Sequence, residues 1–394
     1  MFAVAALWAC GGSGNQVPSD PLLDPLDEVD PTVPVAPVVT EEERPPERSP
    51  EERVEPAEAP VAEEEVIAEE EERAAETRPP KELWEEYQHE RRFDCVGPFD
   101  TMGLPYTFPV RGRNVTIHGH WMTVDPPDWG PQDTLKVGVI GAPKDSYPET
   151  LSNLRRFLRW FDKHEVPIVV LNGDVAYEAR DMGKSLELLA RTRKLVWVMA
   201  GNADPVSPMN RVLKELSREW PNLVNGNHVR RVELDGHTLI SLPGYHDSEF
   251  ITAGSGCQYY RSDVKALSKL LDAAKGTPVL VSHGPPRGRG KKAMDFAFDA
   301  GNVGDKRLGD FMRKRRVAFG IFGHILEAGT RTMTAYKRKP IKKETHSPTL
   351  YVNVGGASSL LTDLHTGESH RGMAAIVELE KSRARVLFDL VPDD

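Results

Sequence analysis

Four short stretches carry the side chains best suited to chemistry. Asn172-Gly173-Asp174, Gly201-Asn202-Ala203-Asp204, Ser282-His283-Gly284-Pro285-Pro286 and Gly323-His324-Ile325-Leu326 each follow a run of apolar residues. They supply carboxylate, amide and two imidazoles, each beside a glycine that permits a tight turn. Oxygen and nitrogen donors in this mixture are the ligand set of a divalent metal site. Singly, such pairings are common; it is their succession along one chain that carries information.

The elements that must position them follow from apolar periodicity. Residues 135–140, 167–171, 195–199, 238–242, 278–281 and 317–322 read as strands, joined near the end by 350–352, 374–379 and 384–390. Between them 149–163, 178–193, 209–220, 262–274 and 305–315 carry the helical period. This alternation predicts an α/β fold. The early runs are continuous, as in strands covered on both faces, whereas 229–234 alternates and predicts a more exposed strand. A further strand pair is expected within 106–124, added to a sheet edge. In open α/β sheets ligands gather beyond the carboxyl ends of the strands, where all four stretches fall.

The order Gly-Asp, Gly-Asn, Ser-His-x-Pro-Pro, Gly-His resembles the calcineurin-like metallophosphoesterases, over roughly residues 135–359. Asn353-Val354-Gly355-Gly356 stands where relatives often carry an Asn-Pro-Gly-Ser turn. The resemblance implies a four-layer α-β-β-α sandwich and a two-metal site for in-line attack on a phosphoester. It also implies which ligands are present. One metal's set is retained as Asp174, Asn202, His283 and His324. The other's private ligands are replaced, by Ala142 and Lys144 in the first motif and by Leu326 in the last. Ala203 occupies the usual place of a histidine that assists the leaving group. Gly226-Asn227-His228 spells the family's Gly-Asn-His better than Gly201-Asn202-Ala203 does, but it precedes an alternating strand, so His228 is expected as a surface strand residue. His118 and His120 are weak metal candidates for the same reason of position.

The expected activity is therefore phosphoester hydrolysis at an impaired site with at most one divalent metal, manganese, iron or zinc, or none. In one reading Lys144 or nearby arginines replace the electrostatic part of the lost ion; in the other the site is a catalytically inactive ligand-binding or scaffold module on the same fold. The basic stretches Arg287-Gly288-Arg289-Gly290-Lys291-Lys292 and Lys337-Arg338-Lys339 with Lys342-Lys343 are read as solvated loops able to meet a phosphate-bearing small molecule or anionic head group. Met294, Phe296 and Phe298 are expected to serve packing.

Composition separates two regions. The chain has 394 residues and a net charge of −10, but residues 1–80 carry 21 acidic and 5 basic side chains, against 39 and 45 in the rest. The first part is −16 and the remainder +6, too thinly spread to predict a specific nucleic-acid partner. With 3 cysteines, a disulfide-framework mini-protein is excluded. The Pro/Glu-rich stretch 17–80, with a helix-forming segment at 63–77, reads as a disordered acidic tether. Before it, residues 1–16 resemble a truncated bacterial lipoprotein signal, with Leu7-Trp8-Ala9-Cys10 at the lipid-attachment site. That resemblance implies a lipid-anchored protein of the bacterial cell envelope, and otherwise a cytoplasmic one. Cys95 and Cys257 would then form an even pair in an oxidising compartment. The expected division is completed by a pre-domain segment at 81–134 and the phosphoesterase domain at 135–394.

Overall fold

Hydrophobic residues placed on both faces of continuous strands require two coverings, and the fold supplies them. The computed structural model describes residues 78–126, 134–234, 236–252, 255–298, 300–335, 339–342, 344–358, 361–362 and 369–392, all within the unit Pro60–Asp394. The expectations for Cys10, the acidic tether and the 63–77 helix lie outside these residues, as do those for Lys337, Arg338 and Lys343.

Helix α1 (Pro80–Glu90) leads into β1 (Tyr106–Val110), β2 (Arg113–Ile117) and β3 (Trp121–Asp125). A βαβ series follows: β4 (Thr134–Ile140), α2 (Pro148–Lys163), β5 (Ile168–Asn172), α3 (Ala179–Ala190), β6 (Leu195–Met199), α4 (Val206–Glu219) and β7 (Leu223–Asn225). Next come β8 (Arg231–Leu234), β9 (His237–Leu242), α5 (Arg261–Asp272), β10 (Thr277–Ser282), a short pair β11 (Phe296–Ala297) and β12 (Gly301–Asn302), and α6 (Lys306–Lys314). The chain then forms β13 (Phe319–Phe322), β14 (Thr332–Met333), β15 (Leu350–Asn353), β16 (Leu361–Thr362), β17 (Ser369–Glu380) and β18 (Ala384–Pro392).

The strands form two large sheets. One runs β16-β17-β4-β5-β6-β7, with β18 also on β17; the other runs β1-β2-β3-β8-β9-β10-β13-β15-β14. Alternation along each strand divides the side chains. Val137, Val170 and Trp197 from the first sheet meet Leu239, Val279, Phe319 and Val352 from the second in an inner core. Their neighbours Val169, Leu171 and Val198 face the other way, against Phe157 and Phe161 of α2, Leu186 of α3 and Leu213 of α4. Ile240, Leu280 and Phe322 likewise face Leu267 of α5 and Met312 of α6. The result is the α-β-β-α sandwich. Helix α2 shows why the pattern works: Pro148 opens it with φ already helical, and Leu154, Phe157, Leu158 and Phe161 form one apolar stripe. β4 to β7 are mutually parallel, as are β9, β10, β13 and β15, so their carboxyl ends reach a common rim.

Three expectations are corrected here. β8 is buried at every residue, because β3 pairs with one edge and β9 with the other, so the alternating pattern marks an interior strand with polar partners. His228 is fully buried and lies in the turn before β8; its Nε2–H donates to the Arg91 carbonyl (2.9 Å), and burial pushes its pKa down to about 4. Phe298 is 53% exposed, although Met294 joins the core.

Arg230 explains how a polar residue fits beside β8. Fully buried, it donates from Nη1 to the Gly97 carbonyl (3.1 Å), from Nε to Ser241 Oγ (3.0 Å) and from Nη2 to the Ser241 carbonyl (2.7 Å). Burial pulls its pKa down to about 10. Arg230→Ala should lower the unfolding free energy in urea by about 3 kcal/mol, since it strands buried carbonyls without donors. A loss well under 1 kcal/mol would mean the buried network is not under that constraint.

Candidate metal centre

The loops after β5 and β6 approach so closely that only glycine fits between them. Gly173 has φ +81°, and a Cβ there would lie 2.5 Å from His283 Nδ1 and 2.6 Å from the Gly201 nitrogen. A Cβ on Gly201 would collide with Asp174 Oδ1 and lie 2.7 Å from His283 Cε1. Asp174 (φ 55°) and His324 (φ 67°) adopt the left-handed region although neither is glycine. Such backbone costs about 1 kcal/mol or more per residue and persists where surrounding contacts enforce it.

Those contacts converge on four side chains. His283 is fully buried, and its Nδ1–H donates to the Asn172 carbonyl (2.8 Å), which turns Nε2 toward the site. Asn202 Nδ2 donates to the Phe250 carbonyl (2.6 Å), so the amide turns its Oδ1 toward His283 Nε2, 2.9 Å away. Asp174 Oδ1, bonded by the Ala203 N–H (3.1 Å), is 3.3 Å from the same Nε2. His324 packs against Tyr245 with the rings tilted by 37° (centroids 4.0 Å apart), and its Nδ1 is buried without a hydrogen-bond partner. One ligand atom each from Asp174, His283 and His324 lie within 4.8 Å of one another. Donor atoms gathered at these distances suit a shared cation, either a proton on the imidazole or a metal ion. The donor set, two imidazoles, one amide oxygen and one carboxylate, fits a divalent metal.

Electrostatics agrees with that fit. Burial alone would raise the Asp174 carboxyl, but His283, Lys144 and His324, with the Ala203 N–H, hold it below the ordinary value. Burial and the neighbouring His283 push His324 down to about 3, which favours the neutral ring that a metal requires.

Residues at the other motif positions are also neighbours. The Ala142 N–H donates to the Gly173 carbonyl (3.0 Å) and the Lys144 N–H to the Asp174 carbonyl (2.9 Å), so the chain leaving β4 runs alongside the metal loop. Lys144 is exposed at the rim, and its charge is felt at both Asp174 and His324. Ala142 Cβ and Leu326 Cδ2 lie 3.2 and 3.1 Å from where a Cβ on Gly356 would sit. Ala142, Leu326 and Gly356 thus pack together without a charged group among them. His118 and His120 are elsewhere: His120 Nδ1 bonds the Asp100 carbonyl (2.6 Å) and His118 stacks on Trp121.

Two supporting residues escaped the sequence reading. Asp204 is fully buried and accepts from the N–H groups of Val175 (2.7 Å), Ala176 (3.2 Å) and Gly201 (2.7 Å), clamping the two metal loops together. Burial and the Asp174 charge push it up to about 7 against those three donors. Asn227, within the Gly-Asn-His decoy, accepts the Ala200 N–H on Oδ1 (2.8 Å) and so supports the Gly201-Asn202 turn from behind. The signal for Asp204 was its place in Gly201-Asn202-Ala203-Asp204; nothing local marked Asn227.

The calcineurin-like phosphoesterase family matches residues 103–328, more than half of the chain, and the chain belongs to that family. No curated protein matches it. Among solved structures it is similar to TT1561 of Thermus thermophilus (13% identity, 61% of this chain and 98% of that one, TM-score 0.42). It is also similar to the purple acid phosphatase PPD1 from yellow lupin, Lupinus luteus (12%, 76% and 63%, 0.45), and to a dimetal phosphatase from Danio rerio (13%, 66% and 99%, 0.40).

Gly201→Ala should weaken manganese binding, measured by calorimetry, by about 100-fold, because the new methyl group displaces Asp174 Oδ1. Gly183→Ala in α3, where a Cβ would meet nothing within 4 Å, is the matched control and should leave binding unchanged. Equal binding by both variants would refute the close approach of the two loops.

Proposed function

We propose that this domain holds a single divalent cation on Asp174, Asn202, His283 and His324, and hydrolyses phosphoesters with reduced power. The observation that carries the reading is the convergence of Asn202 Oδ1 and Asp174 Oδ1 within 3.3 Å of His283 Nε2, set against the hydrocarbon groups of Ala142 and Leu326 around Gly356. The chemistry supplied by a bound ion is polarisation of a phosphoryl oxygen and acidification of water. The chain's own groups do the rest. Lys144 adds positive charge at the rim, where a phosphoryl oxygen gathers negative charge. Ala203 offers no proton to a leaving group, so esters with good leaving groups are favoured.

The basic loop supports a phosphate-bearing small molecule as the substrate. Arg287, Arg289, Lys291 and Lys292 are exposed immediately beyond His283-Gly284-Pro285-Pro286. The buried Asp295 shapes this loop by accepting from the N–H groups of Gly288 (2.8 Å) and Gly304 (3.1 Å), and Arg331 Nη1 donates to the Lys291 (2.8 Å) and Ala293 (2.9 Å) carbonyls. The proposal extends to location: a lipid anchor at Cys10 on the bacterial envelope, a reading supported by the Cys95–Cys257 disulfide, a bond that persists in oxidising compartments. The second reading, an inactive ligand-binding or scaffold module, is favoured by Ala142, Lys144 and Leu326 standing where the resemblance expects metal ligands and by Ala203 standing where it expects a histidine.

Elemental analysis of purified protein should find one metal per chain, lost in His283→Ala, and turnover of an aryl phosphodiester far below the ~10 per second typical of enzymes. The combined Ala142→Asp, Lys144→His, Leu326→His variant should bind two metals and hydrolyse faster. Two metals in the unaltered chain would overturn the single-site reading; none would select the inactive module.

A further inference from the structure

The Cys95–Cys257 disulfide lies behind the metal centre, and its partners lead directly to Asn202. The cysteine Cα atoms are 5.2 Å apart and 162 residues apart in sequence. On the Cys257 side, the Cys257 N–H donates to the Gly201 carbonyl (3.3 Å), and the Thr252 N–H donates to the Asn202 carbonyl (3.2 Å). The Val206 N–H donates to the Ser255 carbonyl (3.0 Å), and the Phe250 carbonyl fixes the Asn202 amide (2.6 Å). A Cβ on Gly256 would overlap the Asn202 carbonyl oxygen, so this loop lies flush against the ligand's backbone. Among the described residues, the contacts of this loop with Gly201 and Asn202 are made by its backbone groups.

On the Cys95 side the chain is fixed to the core. The Gly97 N–H donates to the Asn227 carbonyl (2.8 Å), Asn210 Nδ2 donates to the carbonyls of Arg92 (3.2 Å) and Asp94 (3.0 Å), and Arg230 holds the Gly97 carbonyl (3.1 Å). The same Asn227 supports Ala200 (2.8 Å), so the anchor of the disulfide and the floor of the metal turn are one body.

We propose that the Cys95–Cys257 bond is a positioning element for the metal ligand Asn202, making metal affinity depend on the redox state of this pair. It rests on the metal-site reading above. A dithiol reductant opens the bond by exchange: one thiolate attacks a cysteine sulfur to form a mixed disulfide, and its second thiolate displaces the remaining cysteine. Two electrons and two protons pass to Cys95 and Cys257, and the dithiol leaves as a cyclic disulfide. Without its covalent tie to the fixed segment, the loop's hydrogen bonds from the Cys257 and Thr252 N–H groups to Gly201 and Asn202 open more often, and the Phe250 carbonyl no longer holds Asn202 Nδ2 and with it the orientation of Oδ1.

The test compares full-length protein, oxidised or reduced with dithiothreitol and freed of reductant without air, with the Cys95→Ser, Cys257→Ser double variant as a second reduced state. Hydrogen exchange of metal-free protein should show faster exchange at the Thr252 and Cys257 amides in both reduced forms, while the Ala142 and Lys144 amides keep their protection. Calorimetric titration with manganese alone should show about tenfold weaker binding in the reduced forms, the size of effect that orienting partners of metal ligands have. Unchanged exchange at Thr252 and Cys257 overturns the proposal whether or not manganese binds. Faster exchange with unchanged manganese affinity also overturns it. If manganese binds to neither redox form, the metal-site reading fails instead, and the exchange data show whether the disulfide still orders the loop. A reduced protein that unfolds altogether is recognised by loss of protection at Ala142 and Lys144 too, and contradicts a local positioning role.

Discussion

Everything at the rim depends on one close approach, that of the Gly173-Asp174 and Gly201-Asn202 turns over His283. Neither turn can move outward, because Asp204 bonds to N–H groups on both, and neither can move inward, because Gly173 and Gly201 already leave no room for a methyl group. The left-handed backbone at Asp174 is the cost of that fit. Parallel strands in both sheets set the approach, since β5 and β6 end where β10 and β13 end, and the sandwich core fixes their separation. A site built this way is preorganised before any ligand arrives.

The same geometry makes sense of the replaced positions. Ala142 and Lys144 are held alongside the Gly173-Asp174 turn by backbone bonds, so their side chains are not needed to keep the chain there. The side chains of Ala142 and Leu326 that meet over Gly356 are hydrocarbon and offer a cation no ligand. The supports of the retained half, the Asn172 and Phe250 carbonyls and the Ala203 N–H, are all main-chain groups.

Much of this was legible in the residues, and the rest was hidden for physical reasons. Continuous apolar runs located β4, β5, β6 and β10 to within a residue or so, because strands covered on both faces leave a one-dimensional trace. The four candidate donors stood out because each follows such a run, and the structure brings them together. His228 and β8 were misplaced because burial by a neighbouring strand depends on β3, more than a hundred residues earlier, and a local pattern does not record what pairs with it. Asn227 and Arg230 act through backbone atoms of distant segments, Ala200, Gly97 and Ser241, and a polar side chain in a sequence reads as exposed until those partners are known. Phe298 shows the converse, an aromatic residue in an apolar-looking stretch that the core does not reach.

The central claim, one cation on the retained donors and none beside them, is tested most directly by anomalous scattering from crystals soaked in manganese. The account predicts a single strong peak among Asp174, Asn202, His283 and His324, and no density next to Ala142 and Leu326. Two peaks bridged by Asp174, or a lone peak away from His283, would contradict it.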